Sequence, residues 1–191
     1  MIYKDNNINE AVNLLQQGEI IVYPTDTLYG FGVDATNSDA IMRLNKIKNR
    51  KQPYSIIVNS FDMLNKYVIM PNIKKFDLKK YFPGPYTLIF LKNKSNLSDL
   101  VSLDLNTVGV RIPDFSFPCD IVSKLDKPII TTSVNFHNSK PLRDIESIKN
   151  SFSNISIFES SKFVGEKLGS TIIDVSSNKF KILRKGSGKI I

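Results

Sequence analysis

Few residues of this chain could do covalent chemistry, and several could hold an anion. Cys119 is the only cysteine and His137 the only histidine among 191 residues. That excludes an internal disulfide, a zinc site built from Cys and His, and a Cys–Cys redox pair. A hydrolase using Ser, His and Asp would have to use His137, which stands in the polar stretch SVNFHNSKP (133–141) and reads as a solvated surface residue. Cys119, beside Pro118 and near apolar Ile121 and Val122, reads as packing. The cations are different. Arg111 sits inside VGVRIPD (108–114), among Val108, Val110 and Ile112. A guanidinium in such a strand requires an anion, supplied by the protein or by a ligand. Lys48 and Arg50 form a KxR pair at a helix end, where cations also complement the macrodipole. Ser133 and Asn135 directly follow an apolar strand in TTSVN (131–135). Loops at strand ends are where α/β proteins bind ligands, and where turn chemistry also favours these two residue types. Arg184 closes the last strand, in ILRKG (182–186). Two nucleotide motifs fail. GSGK (186–189) has Leu183 where a P-loop needs its first glycine, and Gly30 and Gly32 lack the third glycine of a dinucleotide fingerprint.

The elements that must position these residues follow from the apolar patterning. Strands are expected at IIVY (20–23), FGVDA (31–35), SIIV (55–58), TLIFL (87–91), VGVRI (108–112), PIITT (128–132), SIF (156–158), TIIDV (171–175) and FKILR (180–184). The start of the chain reads as the first helix, through Ile8, Ala11, Val12 and Leu15, with Asn7 as cap and Gly18 as stop. Ser38 is placed to cap a helix through Ile41, Leu44 and Ile47, ended by Pro53. Ser60 starts a short helix. Further helices are expected after Pro71, over 117–125 and around 145–152, and NKSNLSD (93–99) reads as a loop. The irregular mixture of strands and helices predicts an α/β or α+β fold other than a simple doubly wound sheet.

Length and composition bound the rest. Residues 1–191 suit one domain, with 41% hydrophobic and 23% charged residues. No apolar run approaches a membrane span and the start lacks a signal peptide's apolar core, so a cytoplasmic protein is expected. A net charge of +8 favours anionic partners, although scattered lysines also make a solvated surface.

Seven segments occur in order: PTDTLYGFG (24–32), KNR (48–50), PGPYT (83–87), VGVRIPD (108–114), TTSVN (131–135), STIIDV (170–175) and ILRKG (182–186). Together they resemble the YrdC/TsaC-like threonylcarbamoyl-adenylate synthase family, in its short single-domain branch. The resemblance implies a YrdC-like twisted open mixed sheet with flanking helices and a basic concave face. It implies a nucleotidyltransferase that makes threonylcarbamoyl-AMP and pyrophosphate from L-threonine, bicarbonate and ATP, for N6-threonylcarbamoyladenosine at position 37 of tRNA. By similarity, Lys48 and Arg50 are catalytic and neutralise ATP phosphates. Gln52, Thr107, Ser133, Asn135 and Arg184 add ATP contacts. Thr27, Arg111, Thr131 and Ser170 hold threonine, with Arg111 on its carboxylate. Mg2+ is expected to arrive with ATP, with no protein metal cage and no tightly bound organic cofactor. A separate tRNA threonylcarbamoyl transferase takes the product, and contact with tRNA is allowed.

The chain departs from the family pattern at three places and ends early: the turn after KxR is shortened, with Gln52 before Pro53 where Lys or Asn is usual, and two further segments differ. PYSII (53–57) puts Ile57 where longer members carry the histidine of PLxxH. FHNSKP follows the SxN pair where Ser-Gly is usual. The chain stops soon after ILRKG, so the C-terminal domain of longer members is expected to be absent. The competing readings are a non-catalytic RNA-binding module with a basic surface and a carbamoyl-adenylating part of a hydrogenase maturation protein.

Overall fold

Apolar runs that read as strands become the buried middle of one open sheet. The computed structural model describes residues 1–49, 52–74, 76–136, 138–163, 168–177 and 179–190. The strands are β1 (Ile2–Lys4), β2 (Ile21–Tyr23), β3 (Gly30–Gly32), β4 (Ser55–Ile57), β5 (Val68–Ile69), β6 (Tyr86–Lys92), β7 (Thr107–Arg111), β8 (Ile129–Ser133), β9 (Ser156–Glu159), β10 (Thr171–Asp174) and β11 (Lys181–Arg184). The helices are α1 (Ile8–Gln16), α2 (Ser38–Lys48), α3 (Phe61–Tyr67), α4 (Asp99–Ser102), α5 (Ser116–Leu125) and α6 (Ile145–Ser151). The sheet order is β1-β9-β2-β3-β8-β4-β7-β6-β10-β11, with β5 added against β6. Pairing is mixed: β4 runs parallel to β7 and antiparallel to β8, while β6 runs antiparallel to β7 and parallel to β10. The fold is therefore an open mixed α/β sheet with flanking helices, as the family resemblance implies.

Helix α1 buries Ala11, Val12 and Leu15, one helical face, and packs beside α5. Helix α2 buries Ala40, Ile41 and Leu44 and ends at Asn49, whose φ of 46° is left-handed. Its cap is Asn37 rather than Ser38: the Asn37 side chain accepts from Ala40 N at 3.0 Å, while the Ser38 hydroxyl bonds Ser98 instead. Ser60 caps α3 as expected, accepting from Met63 N at 3.2 Å.

Three further expectations are corrected. The chain start is not all helix, because Ile2–Lys4 pairs in parallel with Ile157–Glu159. Among its described residues the segment after Pro71 holds a single 3-10 turn at Leu78–Lys80, and its partly buried Ile73, Phe76 and Leu78 reach the core from irregular backbone. FGVDA keeps strand pairing through Gly32 and one lone bridge at Asp34, whose carboxylate turns the chain by accepting from Thr36 N at 2.8 Å. Among the described residues no helix is long and apolar enough to cross a membrane.

Candidate active site

The ends of β4, β6, β7, β8, β10 and β11 surround a cavity of about 400 Å³, a volume suited to a small ligand. Its register is set by the sheet. Ser55 lies opposite both Gly109 and Thr131, so a row of small or polar side chains crosses three strands on one face. Gly109 keeps that row open: a Cβ there would stand 2.6 Å from Ser55 Oγ. Thr27 reaches the cavity from the loop between β2 and β3. That loop is wound around Thr25, whose hydroxyl accepts from Thr27 N at 3.1 Å and Leu28 N at 3.2 Å and donates to Leu28 O at 2.7 Å.

Two guanidinium groups face this space. Arg111 is 6% exposed, and its Nη2 donates to Asp26 Oδ1 at 2.5 Å. The other Asp26 oxygen accepts from Asp114 N at 3.1 Å. Arg111 Nε is buried without an acceptor. Arg184 is held otherwise. Its Nε and Nη2 donate to Ser170 O at 3.1 and 2.8 Å, and Nη2 also reaches Ser170 Oγ at 3.2 Å. Ser170 Oγ in turn shares a hydrogen bond of 2.7 Å with Thr87 Oγ1. Burial first, and then the positive charge of Arg111, push the Arg184 pKa down. These Arg184 bonds go to neutral oxygens of Ser170, so its charge is left for an anion.

The expected site residues divide into three groups. Thr27, Arg111, Thr131, Ser133, Ser170 and Arg184 line the cavity together. Lys48 lies behind it, with none of its surface exposed. Its Nζ donates to Ser133 O at 2.6 Å, Asn135 O at 3.2 Å and Asn135 Oδ1 at 2.9 Å, and it stands 5.6 Å from the Phe31 ring centroid. Ser133 Oγ donates to the same Asn135 Oδ1 at 2.7 Å, so lysine, serine and asparagine form one network. Gln52 is exposed, next to Pro53 on the rim. Thr107 stands at the far end of β7, opposite Leu91, about 13 Å along the strand from Arg111. It is therefore not gathered with the others. Arg50 and His137 lie outside the described residues. Ile57 is fully buried between Arg111 and Ile129 in the sheet, filling with hydrocarbon the place where a histidine is expected.

Several lining residues were not singled out in the sequence. Tyr54 and Ser55 stand in PYSII, and Thr87 in PGPYT. Tyr54 is 3% exposed and donates from its hydroxyl to Asn45 Oδ1 at 2.7 Å, which fixes the ring at the cavity wall. Asp26 is the largest omission, a buried acid inside PTDT. Cys119 has no part in the cavity lining. Burial first, then Asp120, Asp26 and Asp114, push its thiol up to about 12. No group of three His, Cys, Asp or Glu side chains that could hold a metal occurs among the described residues.

Comparison with known proteins agrees with this geometry. The Sua5/YciO/YrdC family model, described as telomere recombination, matches residues 13–186. An uncharacterized protein of Haemophilus influenzae is 30% identical over 188 residues, covering 95% of this chain and 89% of that relative. The threonylcarbamoyl-AMP synthase of Mus musculus is 28% identical over 188 residues, covering 94% of this chain and 66% of the mouse protein. The crystal structure of P. abyssi Sua5 complexed with L-threonine has a TM-score of 0.84 at 24% identity, over 97% of this chain and 57% of that one. At that identity the likeness is one of fold. The chain thus spans about two thirds of the mouse protein and little more than half of the archaeal one.

Proposed function

The chain belongs to the Sua5/YciO/YrdC family, and on that premise we propose that it is an L-threonylcarbamoyladenylate synthase. It joins L-threonine, bicarbonate and ATP into threonylcarbamoyl-AMP and pyrophosphate. The observation that carries the reading is the cavity itself: Arg111 and Arg184 amid the hydroxyls of Thr27, Ser55, Thr87, Thr131 and Ser170. The printed names of the relatives support the same activity: the mouse protein is called threonylcarbamoyl-AMP synthase, and the archaeal structure holds L-threonine.

The chemistry suits these groups. A carbamate attacking the α-phosphate brings two anions together and places new charge on the departing pyrophosphate. Fixed cations and hydrogen-bond donors lower that barrier, and no covalent nucleophile is needed. In this reading Arg111 receives the threonine carboxylate, with Thr27, Thr131 and Ser170 around the rest of the amino acid. Arg184, Arg50 and Ser133 face the nucleotide, with Gln52 at the rim. Lys48 and Asn135 shape the loop that carries Ser133. Magnesium enters with ATP, held by phosphates and water. The product passes, in the cytoplasm, to a transferase that modifies tRNA. A non-catalytic RNA-binding role is less favoured, because Arg111 and Arg184 line a cavity of about 400 Å³, a size that suits a small ligand.

The decisive assay follows pyrophosphate release from ATP. Release should require threonine and bicarbonate jointly. Equal release without an amino acid would refute the synthase reading.

A further inference from the structure

We infer that Asp26 is a positioning residue for threonine: it grips one edge of the Arg111 guanidinium so that the rest faces the cavity in a single orientation. The inference deepens the synthase reading and rests on it. Asp26 is 6% exposed and does not itself line the cavity, whereas Arg111 does. It therefore acts from behind. Among the described residues its two oxygens serve two partners. Oδ1 accepts from Arg111 Nη2 at 2.5 Å, and Oδ2 accepts from Asp114 N at 3.1 Å, three residues beyond Arg111. On its own side the carboxylate is fixed by the turn that Thr25 winds from Thr27 to Leu28. The loop after β2 and the loop after β7 are thereby tied at one point, and that point sets the plane of the guanidinium.

The arrangement separates direction from charge. Arg111 and Asp26 form a buried ion pair with little net charge, so Arg111 offers a ligand carboxylate oriented N–H groups more than a field. Among the described residues Arg184 bonds only the neutral oxygens of Ser170, and Lys185 stands beside it in the lining. Two accounts of Asp26 then predict effects of opposite sign. If the acid merely tempers the positive charge of the cavity, Asp26→Asn adds one net positive charge and tightens binding of a carboxylate. If it positions Arg111, the same change weakens threonine binding. The amide offers one acceptor and one donor where two acceptors are needed, so it cannot serve both Arg111 and Asp114 N.

The experiment compares wild type, Asp26→Asn, Arg111→Lys and the double variant. It measures threonine and ATP dependence of pyrophosphate release, L-threonine binding by calorimetry, and thermal unfolding on the same samples. Asp26→Asn should raise the threonine KM about tenfold or more, the loss expected for a misaligned charge-assisted contact, and move the ATP KM less than about twofold. In the Arg111→Lys background, Asp26→Asn should add less than about twofold, because both changes act through one guanidinium. Should Asp26→Asn not fold, Asp26→Glu, which keeps the charge but shifts the carboxylate, carries the same expectations. An unchanged or lower threonine KM in the Asp26 variant overturns the inference, and so do effects that multiply in the double variant. Those outcomes arise with an active wild type. A wild type without threonine-dependent release or threonine binding overturns the synthase reading itself, and the inference with it.

Discussion

Replacing Lys48 with Met asks whether the first residue of the KxR pair meets phosphate or builds the loop that does. Methionine keeps an unbranched side chain and removes the ammonium that stands 5.6 Å from the Phe31 ring centroid. Among the described residues the ammonium makes three hydrogen bonds, two of them to the backbone carbonyls of Ser133 and Asn135. A hydrogen bond to a charged group contributes about 1.5–3 kcal/mol. The three cannot simply be summed, since removing the buried ammonium also recovers its desolvation cost. A net loss of about 2–4 kcal/mol results, most of it from two carbonyls left without their donor. For a domain of this size that lowers the melting temperature by about 5–15 °C. The ATP KM should rise as well, because Ser133 loses its fixed position. An Asn135→Ala change should then add little to Lys48→Met, since one network carries both. Thermal unfolding and ATP titration on the single and double variants supply the check. A melting temperature within about 2 °C of wild type, together with a large ATP defect independent of Asn135, would refute the reasoning. Lys48 would then be a phosphate ligand that abandons its carbonyls when ATP binds.

Arg50→Ala should damage pyrophosphate release far more than Lys46→Ala or Lys51→Ala, by about 2–4 kcal/mol in transition-state stabilisation. Lys46 is exposed in the last turn of α2, and parallel rate measurements on the three variants decide the matter; equal rates would reduce the pair to helix-end charges. Cys119 should resist alkylation in the native protein at pH 9 and react once unfolded in urea, because burial holds its thiol at about 12 against an ordinary 9.0. The sign for stability follows. Above pH 9 the unfolded chain releases a proton that the native state retains, so this contribution is full below that pH and declines progressively to about pH 12. Urea unfolding across that range should show a steeper decline in wild type than in Cys119→Ala, the buried tyrosines contributing the decline common to both.

What the sequence made legible follows from which signals are local. A central strand buried on both faces must be apolar along its whole length, so residues 128–132 and 108–112 announce themselves, and the polar residues ending them, Arg111 and Ser133, stand out. Short edge pieces carry no such signal. Ile2–Lys4 becomes a strand only because β9 lies beside it, and β9 is more than 150 residues away in the chain. The direction of Lys48 was equally hidden. The left-handed turn at Asn49 ends the helix there, and the lysine points back into the protein toward the SxN loop.

Asp26 shows the same limit at the site itself. It lies within PTDT, and a buried arginine requires an anion. Nothing in one dimension, however, joins two residues 85 positions apart. Once joined, they change what the cavity is. Counted along the sequence, Arg111 and Arg184 are equivalent cations; in the fold one is neutralised by Asp26 and the other, among the described residues, bonds only to the oxygens of Ser170. A ligand with a carboxylate at one end and phosphates at the other meets an oriented, nearly neutral donor and an uncompensated charge. Such a pair distinguishes the two ends of its substrates, where two free arginines would attract both alike.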